Sequence, residues 1–168
     1  DAFAQLADPD QLAQNLPILE TFDPVEPSTG AMLDRAAEAE EAMLGVDGIT
    51  HSGGVSAGWT KSSLVIATTN GFLGSVQSTR HGLSVSGIAG EGEAQKRDYD
   101  YSLAVFGEDL KDPREIGLEA GRRSVRQLGA KPGATAQVPV IFEPRVAVRM
   151  FSLLMGAING ESLVRGTS

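Results

Sequence analysis

Leu64-Val65-Ile66-Ala67-Thr68-Thr69-Asn70-Gly71-Phe72-Leu73-Gly74-Ser75-Val76 places two apolar, β-prone runs on either side of an Asn-Gly pair. Asn-Gly supplies the positive φ that a two-residue turn requires, so the run predicts an antiparallel hairpin. Moving outward, serine, threonine and glycine are frequent from about Ser52 to Gly107, and Leu83 to Ile88 and Tyr101 to Phe106 predict two further strands. Gly90-Glu91-Gly92-Glu93 lies between them as a loop.

Helical signals flank this strand region. Met32, Ala36, Ala39 and Met43 recur at helical spacing and predict a helix over about 31–44, closed by Gly45 and Gly48. On the other side, Asp112-Pro113-Arg114-Glu115 reads as N-cap, proline at N1 and glutamate at N3. Ile116, Ala120, Ser124 and Leu128 form that helix's inward stripe, and Arg122, Arg123 and Arg126 sit where the helix dipole favours cations. Gly129 ends it. Pro139-Val140-Ile141-Phe142-Glu143-Pro144 predicts a short buried strand stopped by proline, and a helix follows from Arg145 to Ile158. Val146, Met150, Leu153, Leu154 and Ile158 lie near one face of that helix and are expected as core. Ahead of all this, Pro9 and Pro17 break the pattern up to Phe22, and 23–30 reads as an extended connection. The order helix, antiparallel strands, helix, strand, helix is that of an α+β fold.

The chain has 168 residues, a formal net charge of −8 and no cysteine. The acidity repels a polyanion, so a direct grip on DNA is not expected. The absence of cysteine removes disulfides, thiolate metal sites and a cysteine nucleophile. No apolar run approaches the roughly 20 residues of a membrane helix, and a soluble, cytoplasmic protein is expected. The chain starts at Asp1 and stops just after an apolar helix and a Gly-Thr-Ser turn, so it reads as a piece of a longer protein.

Candidate chemistry is sparse. Gly54-Val55-Ser56-Ala57-Gly58 matches Gly-x-Ser-x-Gly, but a nucleophile elbow needs a strand before the serine, a helix after it, and acid and histidine partners further on. Here glycines precede Ser56 and a hairpin follows, so a small-residue edge strand is expected instead. His51 and His81 are the only imidazoles, and a zinc site would have to borrow carboxylates such as Asp98 or Asp100. Their spacing does not support one, and both are expected as ordinary loop histidines. Arg97-Asp98-Tyr99-Asp100-Tyr101 alternates with period two, which puts the tyrosines on one face and the aspartates on the other. Buried tyrosines with solvated carboxylates above them are the expected arrangement.

The order of strand, Pro144-Arg145, apolar helix, Ala157-Ile158-Asn159-Gly160 and Arg165-Gly166-Thr167-Ser168 resembles the TldD/PmbA family, metalloproteases also called modulators of DNA gyrase, and within it the PmbA (TldE) branch. The resemblance extends upstream to about Gly48 and includes the Arg-Asp-Tyr stretch. It implies that residues 1–48 are the end of an N-terminal domain with a connecting helix, and that 49–168 form a middle α+β domain, incomplete at its C-terminal end.

In the TldD branch the equivalent helix carries His-Glu-x-x-x-His, two zinc ligands and a general base. Superposing the motif's Ala-Ile pair on Ala157-Ile158 puts those roles on Met155, Gly156 and Gly160, none of which can ligate zinc usefully or take a proton. The resemblance therefore implies a non-catalytic subunit with no catalytic residue, cofactor or metal of its own. Its expected partners are a TldD-like catalytic chain, which holds the zinc, and peptide or unfolded-protein substrates, with neither nucleic acid nor membrane. Peptide maturation and proteolysis are the implied roles, and Arg97 to Tyr101 could shape the subunit contact or the substrate groove. Two alternatives stay open: a self-sufficient metallopeptidase with ligands outside this stretch, and a non-enzymatic protein that modulates gyrase.

Overall fold

The computed structural model describes residues 6–167, and these form two compact units that divide between Ala130 and Lys131. The first unit holds helix α1 (Thr29–Leu44), strands β1 (Ile49–Ala67), β2 (Leu73–Ala89) and β3 (Lys96–Ala104), and helix α2 (Pro113–Arg126). The strands make an antiparallel sheet in the order β1-β2-β3. An antiparallel sheet with packed helices is the expected α+β fold.

The strands run longer than the sequence pattern predicts, because β1 and β2 pair continuously from Ala67↔Leu73 back to Ile49↔Ala89. Serines and glycines weaken the apolar signal along this length, yet a ladder partner along the whole hairpin outweighs propensity. β3 pairs only with residues 81–89 of β2, so the distal half of the hairpin projects past it as a two-stranded arm. At the tip, Gly71 N–H donates to Thr68 O at 3.1 Å, Thr68 N–H donates to Phe72 O at 2.9 Å, and Gly71 has φ 95°. This is a three-residue loop, Thr69-Asn70-Gly71, rather than the expected two-residue turn. The single left-handed glycine ends a β-turn and starts the return strand as a bulge.

Both helices cover one face of the sheet. Ala39 and Met43 of α1, Leu83 and Val85 of β2, and Ile116 and Ala120 of α2 form the core. Each large apolar side chain sealed there contributes roughly 1.5–3 kcal/mol. α1 starts where Ser28 Oγ accepts from Ala31 N–H at 3.1 Å, and α2 where Asp112 accepts from Arg114 N–H at 2.8 Å, as its N-cap signature predicts. Ile116, Ala120 and Ser124 point inward as expected. Leu128 lies past the helix end and is exposed.

The sequence pattern did not draw attention to Gly117 and Gly121, which let the two helices touch. A Cβ on Gly117 would stand 2.1 Å from Ala39 O, and one on Gly121 2.7 Å from Val46 Cγ2. Their i, i+4 spacing beside the stripe was the available signal.

The second unit contains helices α3 (Pro144–Ala157) and α4 (Gly160–Arg165). The strand expected at 139–143 is not formed. Among the described residues of this unit there is no strand for it to pair with, and an extended segment without a ladder partner is not a sheet. The expected core face of α3 is also exposed: Val146 at 42%, Met150 at 48% and Leu153 at 76%. A unit made of this helix and a six-residue one has too little chain to enclose it.

Candidate functional site

β3 reverses the expectation for its alternating stretch. Asp98 and Asp100 are buried, at 7% and 8% exposure, whereas Tyr99 and Tyr101 are 44% and 45% exposed. The phase of alternation was correct and the buried side was not, because α2 lies over the aspartates and supplies polar partners to them. Gln127 Nε2 donates to Asp98 Oδ2 at 2.6 Å, and the Arg123 guanidinium meets Asp100 Oδ1 at 2.6 Å and Glu119 at 2.8 Å. Ser124, fully buried, sits at the centre of this seam. Its Oγ accepts from Asp98 N–H at 3.1 Å and lies 2.9 Å from Gly87 O, to which it can donate. A carboxylate can lie under a helix when cations and amides answer it.

The opposite face of the sheet is open. Tyr99 and Tyr101 stack there with ring centroids 6.1 Å apart, and Arg97 reaches across the strands to Ser86 Oγ at 2.8 Å and Gly53 O at 3.1 Å. β1 is an edge strand, as expected around Ser56, which is exposed and has no helix after it. A register shift between Ser52 and Gly54, with Gly54 at φ 112°, bends the start of that edge.

The histidines are strand residues, not loop residues. His51 is exposed on β1, while His81 on β2 is buried with Asp23 from the segment before α1. His81 Nε2 is 3.1 Å from Asp23 Oδ2, although that nitrogen makes no aligned hydrogen bond. Asp23 also accepts from Gly107 N–H at 2.9 Å and Val25 N–H at 2.8 Å. Those two backbone donors, followed by the His81 ring, hold its carboxyl below the usual 3.8 against the opposing effect of desolvation. Thr79 completes the anchor: its Oγ1 accepts from Asp23 N–H at 2.7 Å and donates to Val105 O at 3.0 Å. The sequence reading missed Asp23 because Thr79 and Gly107, which anchor it, lie 56 and 84 residues away.

Beside this anchor lies a cavity of about 510 Å³, walled by α1, the 23–27 segment and the loop around Gly107, with His81 and Leu83 among its lining residues.

In the second unit, Met155 and Gly156 lie in the last turn of α3, and Gly160 opens α4. A thioether and two glycines offer zinc no ligand set and a water no base. Among the described residues no group of three or more histidine, cysteine or acidic side chains is gathered as a metal site. No helix among them is long and apolar enough to cross a membrane.

Residues 22–128, nearly the whole of the first unit, match the model of the PmbA/TldA metallopeptidase central domain. The chain belongs to the PmbA/TldD metallopeptidase family. It is 37% identical over 166 residues to metalloprotease PmbA of Escherichia coli O157:H7, a match covering 98% of this chain and 37% of the relative. A PmbA homologue of Haemophilus influenzae is 33% identical, covering 97% of this chain and 36% of that protein. The chain thus spans little more than a third of the PmbA proteins it matches. Among solved structures, a Bacteroides thetaiotaomicron protein described as a candidate modulator of DNA gyrase superposes with a TM-score of 0.87 at 28% identity, over 97% of this chain and 38% of that one. A Thermotoga maritima protein of like description has the same fold, with a TM-score of 0.67 at 22% identity, over 74% of this chain and 29% of that one. PmbA/TldD membership accounts for the resemblance carried by the Ala157-to-Gly160 and Arg165-to-Ser168 turns.

Proposed function

We propose that this chain is the central part of a PmbA/TldE-type subunit that carries no catalytic zinc and works beside a TldD-like chain that does. The observation carrying this reading is the occupancy of the three motif positions by Met155, Gly156 and Gly160. Zinc peptidases need ligands that hold the ion and a base that takes the proton of its bound water. A helix end without either is suited to packing and assembly.

Such a subunit contributes surface. β1 is a long edge strand with no strand on its outer side among the described residues, so it can accept an extended peptide through backbone hydrogen bonds that tolerate varied sequences. The Tyr99/Tyr101 pair and Arg97 offer a second surface on the open sheet face, for the subunit contact or the substrate groove. Peptide maturation and proteolysis in the cytoplasm are the roles proposed for the assembled pair.

The test is a tagged pull-down of the complete protein from its native lysate, with mass spectrometry of chains recovered at stoichiometric yield. A sister chain bearing His-Glu-x-x-x-His is the expected result. Recovery of gyrase, or only of further copies of the bait, would overturn the reading in favour of a binding protein or a self-sufficient homo-oligomer.

A further inference from the structure

The two faces of the sheet differ in charge. Asp98 and Asp100 are the only carboxylates in the three strands, and both lie under α2, where Gln127 and Arg123 answer them. By strand alternation the open face carries no carboxylate among its described strand residues, but two arginines, Arg80 of β2 and Arg97 of β3. In a chain of net charge −8 this is a local reversal of sign. Arg97 bonds to neutral partners, Ser86 Oγ and Gly53 O. Arg80 is exposed, and among the described residues its guanidinium has neither an ion pair nor a hydrogen bond.

Arg80 also stands between two hollows in that face. The larger, about 630 Å³, has Ser62 and Ser78 in its wall, and the smaller, about 360 Å³, has Ser84 and Tyr101. Thr60, Arg80 and Leu103 line both. Among the described residues no other charged side chain lines either hollow, so none there competes with an incoming carboxylate. Gly58 and Gly82 face each other across the ladder in the smaller hollow and leave that part of its floor bare of side chains. Tyr101 pairs with Ser84, four residues along β2 from Arg80, which is about 13 Å of strand. Cation and aromatic surface are thus separated by the reach of an extended peptide whose residues i and i+4 share a face.

We propose that the open face selects acidic peptides: an extended segment sets a carboxylate side chain on Arg80 and lays an apolar or aromatic side chain, four residues away, against Tyr101. Charge complementarity carries the choice, since Arg80 is ringed by neutral hydroxyls that can also serve the peptide backbone. A polyanion such as nucleic acid is disfavoured by the acidity of the chain as a whole. The proposal rests on the reading of this face as a peptide groove and names the substrate class that the groove takes.

The probes are two capped peptides, acetyl-Glu-Ser-Ala-Ser-Phe-amide and its Gln counterpart, titrated into the complete protein by ligand-observed NMR. The caps remove the terminal charges, so the two differ only in the side-chain carboxylate. The Glu peptide should bind about two- to fivefold more tightly, the factor that an exposed ion pair carries, against the general repulsion of an acidic protein. Raised salt should shrink that preference. Arg80→Ala, at an exposed site, should abolish it and leave the Gln peptide unaffected, while Arg80→Lys should retain part of it. Equal affinity for the two peptides, or a Glu preference that survives Arg80→Ala, would overturn the proposal and leave the groove reading standing. If neither peptide bound, both would fall. Loss of the sister chain from the pull-down with Arg80→Ala, alongside equal peptide affinities, would overturn the proposal in favour of a subunit contact.

Discussion

Two buried polar residues, Asp23 and Ser124, tie together parts of the chain far apart in sequence. Because Asp23's carboxyl is held below its ordinary 3.8, it contributes stability that is fully present above that value and is lost as pH falls through the lower, folded-state value. Asp23→Asn should therefore lower Tm at pH 7, and the gap to the unaltered protein should narrow as the pH drops below about 3.8. Thermal melts across that range check it, and a gap that stayed constant would show that charge is not what Asp23 contributes. Ser124 works by hydrogen bonding alone. Ser124→Ala removes the hydrogen bond from Asp98 N–H to a fully buried hydroxyl and should cost about 1–3 kcal/mol by urea denaturation. Neither role is legible locally: Ser124 was visible as part of an inward stripe, but its partners on two strands were not.

The contact between α1 and α2 rests on a missing side chain. An added methyl at Gly117 would collide with the Ala39 carbonyl, a backbone atom that cannot rotate aside, so α1 must shift off the sheet. Gly117→Ala should then destabilise the domain by about 1–3 kcal/mol, despite alanine's better helix propensity. Equilibrium unfolding of the variant tests this, and a stability equal to or above the parent would mean that the helices separate without loss. Element-level reading of the sequence succeeded where the physics is short-range. The Asp112 cap, the helical stripes and the Asn70-Gly71 turn depend on neighbours within a few residues, and both helices and the hairpin were found from them. The reading failed where a distant element decides the outcome. β1 and β2 are long because they pair with each other across serines and glycines, and Asp98 and Asp100 are buried because α2 brings Arg123 and Gln127 over them. The 139–143 segment fails to form a strand for the same reason, since an apolar run cannot supply its own ladder partner.

For the molecule as a whole, the separation of recognition surface from metal chemistry decides what should be measured. The first unit offers an edge strand and an exposed tyrosine pair, and the second presents two helices whose motif positions hold no zinc ligand or base. Family membership was legible in the short turns around those helices, whereas the Asp23–His81 cavity was not, because it is assembled from stretches far apart in the sequence. If the subunit reading is right, the complete protein purified alone should retain far less than one zinc per chain after dialysis, by elemental analysis. The same protein isolated with its sister chain should carry about one zinc per pair, since a single ligand set of the kind that holds catalytic zinc would be present. Peptidase activity should follow that metal: removed by a chelator from the pair, restored by zinc, and absent from the lone chain at any zinc concentration. Stoichiometric zinc in the lone protein, accompanied by activity, would instead place ligands elsewhere in its sequence and make Met155, Gly156 and Gly160 irrelevant to catalysis.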